Sequence, residues 1–146
     1  MGRIMATLSV VAHWDGGYRC HVPVRGHEIV VDEPPSAGGT DTGPMPTEVF
    51  LASLASCFTL SVYHAARKRS IALPDLEVRA SGVYEGLRFA QLRVDVYSSH
   101  PREELEQLIE PAIRTCYVSQ TLKHQPEVVY TLAERPVSRS GPPPPA

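Results

Sequence analysis

The sequence predicts an α+β fold, a β3-α-β2-α2-β subunit whose mixed sheets wrap a buried central helix. Three observations carry that prediction. The N-terminal third alternates β-forming residues with glycine turns. A glycine- and proline-rich loop from Glu33 to Met45 then feeds the long apolar run Val49 to Ala66. Last, a second alternating hairpin precedes an amphipathic, helix-spaced segment. At 146 residues the chain is the size of one domain, here expected over 1–134, and it is long enough to bury a core without disulfides or metal.

The elements follow in order. Thr7 to Trp14 carries Leu8, Val10 and Val11 and reads as a strand, turned at Asp15-Gly16-Gly17. Tyr18 to Val24 places Tyr18, Cys20, Val22 and Val24 on one face, with Arg19 on the other. After Arg25-Gly26-His27, Glu28 to Asp32 completes a three-stranded antiparallel meander. Pro34, Pro35, Gly38, Gly39, Gly43 and Pro44 exclude regular structure from the next stretch. Pro46-Thr47-Glu48 opens a helix, with proline in the first turn and an acid where the dipole favours it. Val49 to Ala66 is apolar almost all round. It approaches the roughly 20 residues of a membrane span, but Ser53, Ser56, Thr59, Ser61 and His64 interrupt it, so no membrane is expected. A helix apolar on every side must be covered on every side. One small subunit has little to cover it with, which points to a homodimer.

Leu76 to Tyr84 and Leu87 to Ser98 form a hairpin across Glu85-Gly86. Ala90, Leu92, Val94 and Val96 are placed on its dry face, and Phe89, Gln91, Arg93, Asp95 and Tyr97 on its wet one. A helix from Arg102 to about Cys116 buries Leu105, Leu108, Ile109, Ala112, Ile113 and Cys116, with Pro111 inside it. Val118 to Lys123 makes a further turn and Glu127 to Leu132 a last strand. A proline-rich tail, 135–146, is expected to be disordered.

Composition excludes several classes of function. The net charge of -2, with Arg67-Lys68-Arg69 as the one basic triplet, does not suit nucleic acid. That triplet reads as a solvated helix end. Gly38-Gly39 lacks the spacing and context of a dinucleotide loop. The six histidines show no ligand spacing, so neither metal nor cofactor is expected. No secretory signal is visible in Met1 to Met5, so the chain is expected in the cytoplasm. Three cysteines in a reducing compartment are free thiols. Cys57 lies mid-helix and Cys116 ends a later helix, which suggests redox chemistry. Cys20, among apolar strand neighbours, reads as core. His64, two turns beyond Cys57, reads as core or interface packing.

Asp32-Glu33-Pro34, Gly38-Gly39, Gly43-Pro44-Met45-Pro46-Thr47-Glu48, Leu54-Ala55-Ser56-Cys57 and Cys116-Tyr117-Val118-Ser119-Gln120-Thr121-Leu122 occur in an order and spacing that resemble the OsmC/Ohr family. The resemblance covers roughly residues 7 to 134. It implies an intertwined homodimer with active sites at the subunit interface. It further implies reduction of hydroperoxides, with Cys57 as the peroxidatic thiol and Cys116 as the resolving one. The family's activating arginine matches Arg19, after Gly16-Gly17-Tyr18, or else Arg25. Its glutamate matches Glu48, displaced by one position because Thr47 follows Pro46. Tyr117 stands where a proline is usual after the second cysteine. These departures bring the chain closer to the general OsmC-like branch than to the dedicated Ohr enzymes.

On this reading Cys57 is oxidised to a sulfenic acid and Cys116 condenses with it to a disulfide. A dithiol, from a lipoyl protein or a thioredoxin-like one, then resets the pair. The apolar residues Phe50, Leu54, Phe58 and Leu60 around Cys57 favour organic peroxides. Two other readings stay open: a non-catalytic dimer binding a small apolar ligand, and acyl transfer with Cys57 as nucleophile beside a histidine base.

Overall fold

The computed structural model describes residues 5–134; the tail expected from 135 onward lies outside the described residues. Strands β1 (His13–Gly16), β2 (Arg19–Val24) and β3 (His27–Val31) form an antiparallel meander. Strands β4 (Glu77–Glu85) and β5 (Arg88–Tyr97) form a separate hairpin. Helix α1 (Pro46–Lys68) is the longest element, and α2 (Arg102–Thr115) and α3 (Tyr117–Lys123) follow the hairpin. A single 3₁₀ turn, Pro35–Ala37, lies in the loop between β3 and α1.

Two expected strands differ. Residues 5–12 form no strand, so the first ladder begins at His13, and Leu8, Val10 and Val11 are exposed. Residues 127–132 likewise join no ladder, leaving Val128, Val129, Tyr130 and Leu132 exposed. Alternating β-formers become a strand only where another edge offers its N–H and C=O groups. Nothing pairs with these two segments among the described residues. The sheets, expected to be mixed, are therefore antiparallel throughout.

Two register shifts alter side-chain directions. In β1–β2, Trp14 faces Cys20 but Gly16 faces Arg19, so Asp15 is the extra residue of a bulge. In β4–β5, Val83 faces Gln91 but Tyr84 faces Phe89, so Ala90 is extra. That second bulge overturns part of the expected alternation, since Phe89 turns inward and Ala90 outward. Phe89 stacks on Phe50 of α1 and lies 4.6 Å from Tyr84 between ring centroids. Its ring occupies the space a Cβ on Gly82 would fill, 2.5 Å away. Tyr84 Oη then donates to Thr47 Oγ1, fastening the hairpin to the first turn of α1.

The core is the seam of α1 against α2 and α3. Phe58, Val62, Ala65 and Ala66 pack on Leu108, Ala112 and Cys116, with Leu76, Val78, Val94 and Val96 of the β4–β5 region against them. The helical spacing predicted for α2 holds, with Leu108, Ala112 and Cys116 wholly buried. Within one chain, helix α1 is covered on one face only. Leu54, Phe58, Ser61, Val62, Ala65 and Ala66 are covered, but Leu60 is 68 % and Tyr63 57 % exposed on the opposite face. By length and composition alone α1 could cross a membrane. His64, expected in core or interface packing, is outside the core of this chain and lines a small cavity with Lys68, Arg69 and Arg114.

The loop from β3 to α1 is ordered around one carboxylate. Asp32 is 1 % exposed. It accepts hydrogen bonds from the Glu33 amide, from both the amide and hydroxyl of Thr40, and from both the amide and hydroxyl of Thr42. Its own amide donates to Pro44 O at 3.1 Å. Gly39 and Gly43 permit the closure, because a Cβ on either would fall 1.9 Å from Glu33 O or 2.4 Å from Val30 O. Gly43→Ala is therefore expected to lower Tm sharply, checked by thermal unfolding with Gly86→Ala, where the Cβ would meet no neighbour, as a control for glycine strain alone. The hydroxyls of Thr40 and Thr42 and the Thr42 amide hold the Asp32 carboxyl far below its usual range. The unfolded chain therefore takes up this proton first on acidification. The resulting stability is full above about pH 4 and is lost as pH falls toward the folded-state value. Acid titration of Asp32→Asn should lack this component.

Candidate functional site

The α1–α2 seam brings two of the expected residues together. Cys57 is half-buried against the core cluster, and Cys116 is 0 % exposed. Cys116 is both the last residue before α3 and its N-cap, and its Sγ accepts the Ser119 N–H at 3.4 Å. Burial pushes the Cys116 thiol up. Against that act the Ser119 hydroxyl and amide, the Cys57 thiol and the Val118 amide, and together they hold it below an ordinary cysteine. Both thiols are free, and Cys57 packs on the core cluster that contains Cys116.

The remaining expected residues lie elsewhere within the chain. Arg19 stands on the bulged hairpin. Its Nε donates to Asp15 Oδ2 at 3.4 Å and its Nη1 to Thr42 Oγ1 at 3.1 Å, and among the described residues it hydrogen-bonds neither sulfur. Asp15 also holds His21 Nδ1 at 2.7 Å, and His21 stacks on His13. Thr42 Oγ1 donates to Asp32 at 2.6 Å, so Asp32 reaches the guanidinium through one hydroxyl. Arg25 sits at the tip of the β2–β3 turn with φ 50°, beside Gly26. Glu48 accepts the Met45 N–H at 2.9 Å and so caps α1. Cys20 is half-buried on β2.

Three contributors escape sequence reasoning. Ser119 approaches Cys116 because an N-cap side chain meets the amide three positions on; the Cys-x-x-Ser spacing at a helix start was its one signal. Asp15 meets Arg19 and His21 through a bulge that spacing does not reveal. Thr42 lies in a loop that shows only its breakers.

A cavity of about 990 Å³ opens between α2 and the β4–β5 hairpin. Phe58, Leu76, Val94, Val96, Leu105 and Ile113 make its apolar wall, and Ser119 also borders it. Asp75, at its rim, is held by the amide and hydroxyl of Ser99. The hydroxyl and amide of Ser99 keep the Asp75 carboxyl below its ordinary range.

A family model described as OsmC-like protein matches residues 39–131. Similar solved structures include an OsmC-like protein from Mycoplasma pneumoniae, 17% identical with TM-score 0.68, covering 84% of this chain and 91% of that one. An organic hydroperoxide resistance protein from Legionella pneumophila is 23% identical with TM-score 0.61, covering 82% and 92%. Another organic hydroperoxide resistance protein, from Elizabethkingia anophelis, is 26% identical with TM-score 0.60, covering 82% and 91%. No functionally curated protein matches the chain.

The Asp32–Thr42–Arg19 relay has a direct test. Thr42→Val removes the hydroxyl that donates to Asp32 and accepts from Arg19, and is expected to lower Tm by about 5–10 °C. Thr42→Ser keeps both bonds and should stay within a few degrees of wild type by calorimetry.

Proposed function

The chain belongs to the OsmC-like protein family, and we propose that it is a thiol-dependent reductase of organic hydroperoxides. The observation that carries this reading is the packing of half-buried Cys57 on the core cluster that holds the buried Cys116. Cys57, the accessible member, attacks the O–O bond of a hydroperoxide. It becomes a sulfenic acid and releases an alcohol. Cys116 then attacks the sulfenic sulfur, expelling water and forming the Cys57–Cys116 disulfide. An external dithiol of the lipoyl or thioredoxin type restores both thiols and itself becomes a disulfide. Relatives of the same fold that carry the name organic hydroperoxide resistance protein support this assignment.

The working unit of this proposal is a homodimer in the cytoplasm, where dithiols are supplied. The outer face of α1, with Leu60 and Tyr63 bare, is the surface available for a second copy. Arg19 supplies the cation that favours a thiolate and Glu48 orients it, the roles the family resemblance assigns. Within one subunit both are engaged by local bonds. Their part in the chemistry therefore belongs to the assembled dimer.

A second reading, binding of an apolar ligand without catalysis, is favoured by the large apolar cavity, which neither cysteine lines. The two separate in one assay. Consumption of cumene hydroperoxide with dithiothreitol or a lipoylated protein as reductant is expected for wild type and should fall to the uncatalysed background in Cys57→Ser. Equal rates for the two proteins would overturn the reductase. A bound apolar species seen by native mass spectrometry, with Cys57 inert to iodoacetamide at neutral pH, would establish the binder.

A further inference from the structure

Arg19, Arg88, Arg93 and Arg102 each meet a carboxylate at 3.4 Å or less. The last turn of α1 is different. Lys68 and Arg69 pair with no carboxylate among the described residues, and Arg114 of α2 has only Glu110, 3.8 Å away in an exposed pair. These three cations, with His64, line one cleft of about 230 Å³ between the two helices. We infer that this cleft binds a compact phosphate dianion, free or as a small phosphate monoester.

Helix ends account for part of the charge. Helix α1 ends at Lys68 and α2 at Thr115, so both C-termini border the cleft. Each such end carries roughly half a negative charge. Arg69 answers one of them directly, its Nη1 donating to Ala65 O at 3.3 Å. The two ends and Glu110 together supply about two negative charges, against three fixed positive ones. A positive surplus remains, and His64 enlarges it when protonated.

The donors suit a tetrahedral dianion. A guanidinium carries five N–H donors in a planar fork and an ammonium three. Arg69 and Arg114 therefore keep free donors after their local bonds. Thr115 supplies none, because its hydroxyl proton goes to Pro111 O at 3.1 Å. The cations arrive from two helices, and phosphate presents oxygens in more directions than a planar carboxylate does. Size narrows the class. Pockets for drug-sized ligands run to about 300–1,000 Å³; this cleft holds a phosphate with a short organic body, against Ala65 and Pro111. Neither cysteine lines it, so the inference stands independently of the reductase reading.

The test titrates inorganic phosphate into the full-length protein, in the assembly it forms in solution and at constant ionic strength. Calorimetry should show saturable binding of one phosphate per chain. The His64 ring signal, assigned by its loss in His64→Gln, should move most among the histidines in NMR spectra. Lys68→Gln and Arg114→Gln should each weaken binding about tenfold, the scale of one hydrogen bond to a charged group. Arg93→Gln, outside the cleft, should leave it unchanged, and unaltered circular dichroism checks that each variant is folded. Glycerol phosphate separates the two sources: tighter binding than inorganic phosphate identifies a monoester, weaker binding the free anion. Absence of saturable binding, as when a second copy covers the cleft, overturns the inference. So does equal displacement by chloride, or binding indifferent to both Lys68→Gln and Arg114→Gln.

Discussion

The buried carboxylate of Asp32 is the constraint on which the geometry of this molecule turns. A charge taken out of water must be met by donors on nearly every lone pair. Here the donors come from Glu33, Thr40 and Thr42. Satisfying them pulls a segment rich in glycine and proline into a closed loop, and that loop delivers α1 at a fixed angle below β3. The same hydroxyl of Thr42 that serves Asp32 also receives Arg19. The meander, the loop and the start of α1 are therefore tied by one ionised group, and the hairpin of β4 and β5 is tied to the same helix start by Tyr84 and Phe89.

The sulfur pair is a product of a different interaction, the close packing of α1 on α2 and α3. Small residues at the seam, Ala65, Ala66 and Ala112, allow the helices to approach, while Phe58, Val62 and Leu108 fill the space between them. Each large side chain buried there contributes about 1.5–3 kcal/mol. This is where stability and chemistry share residues. Cys116 is at once a core side chain and a helix cap, and Cys57 is packed on one side and partly open on the other.

Much of this was legible in the chain. Breaker residues located the loop, and proline with a following acid marked the start of α1. Helical spacing placed Cys116 on the buried stripe of α2. Signals of this kind are local, set by backbone preference and burial period. The two terminal strands were read from equally clear alternation and did not form, because pairing needs an edge that local sequence does not describe. The inward turn of Phe89 was hidden for a related reason: a single extra residue, Ala90, reverses the alternation at the turn end of β5, while Leu92, Val94 and Val96 keep the expected face. At the site, motif order singled out both cysteines as candidates. The partners of Arg19 depended on another bulge, at Asp15, and on a threonine indistinguishable from its loop neighbours.

The closed loop around Asp32 has a dynamic consequence. Its amides at Glu33, Asp41 and Thr42 are bonded within the loop itself, so they do not open one at a time. Releasing any one of them leaves an ionised oxygen or a carbonyl short of a donor, which favours the release of the others. Motion in this stretch is therefore cooperative. Hydrogen exchange would see a small protected block inside a segment whose composition suggests free coil, and the block would melt as one unit together with the first turn of α1.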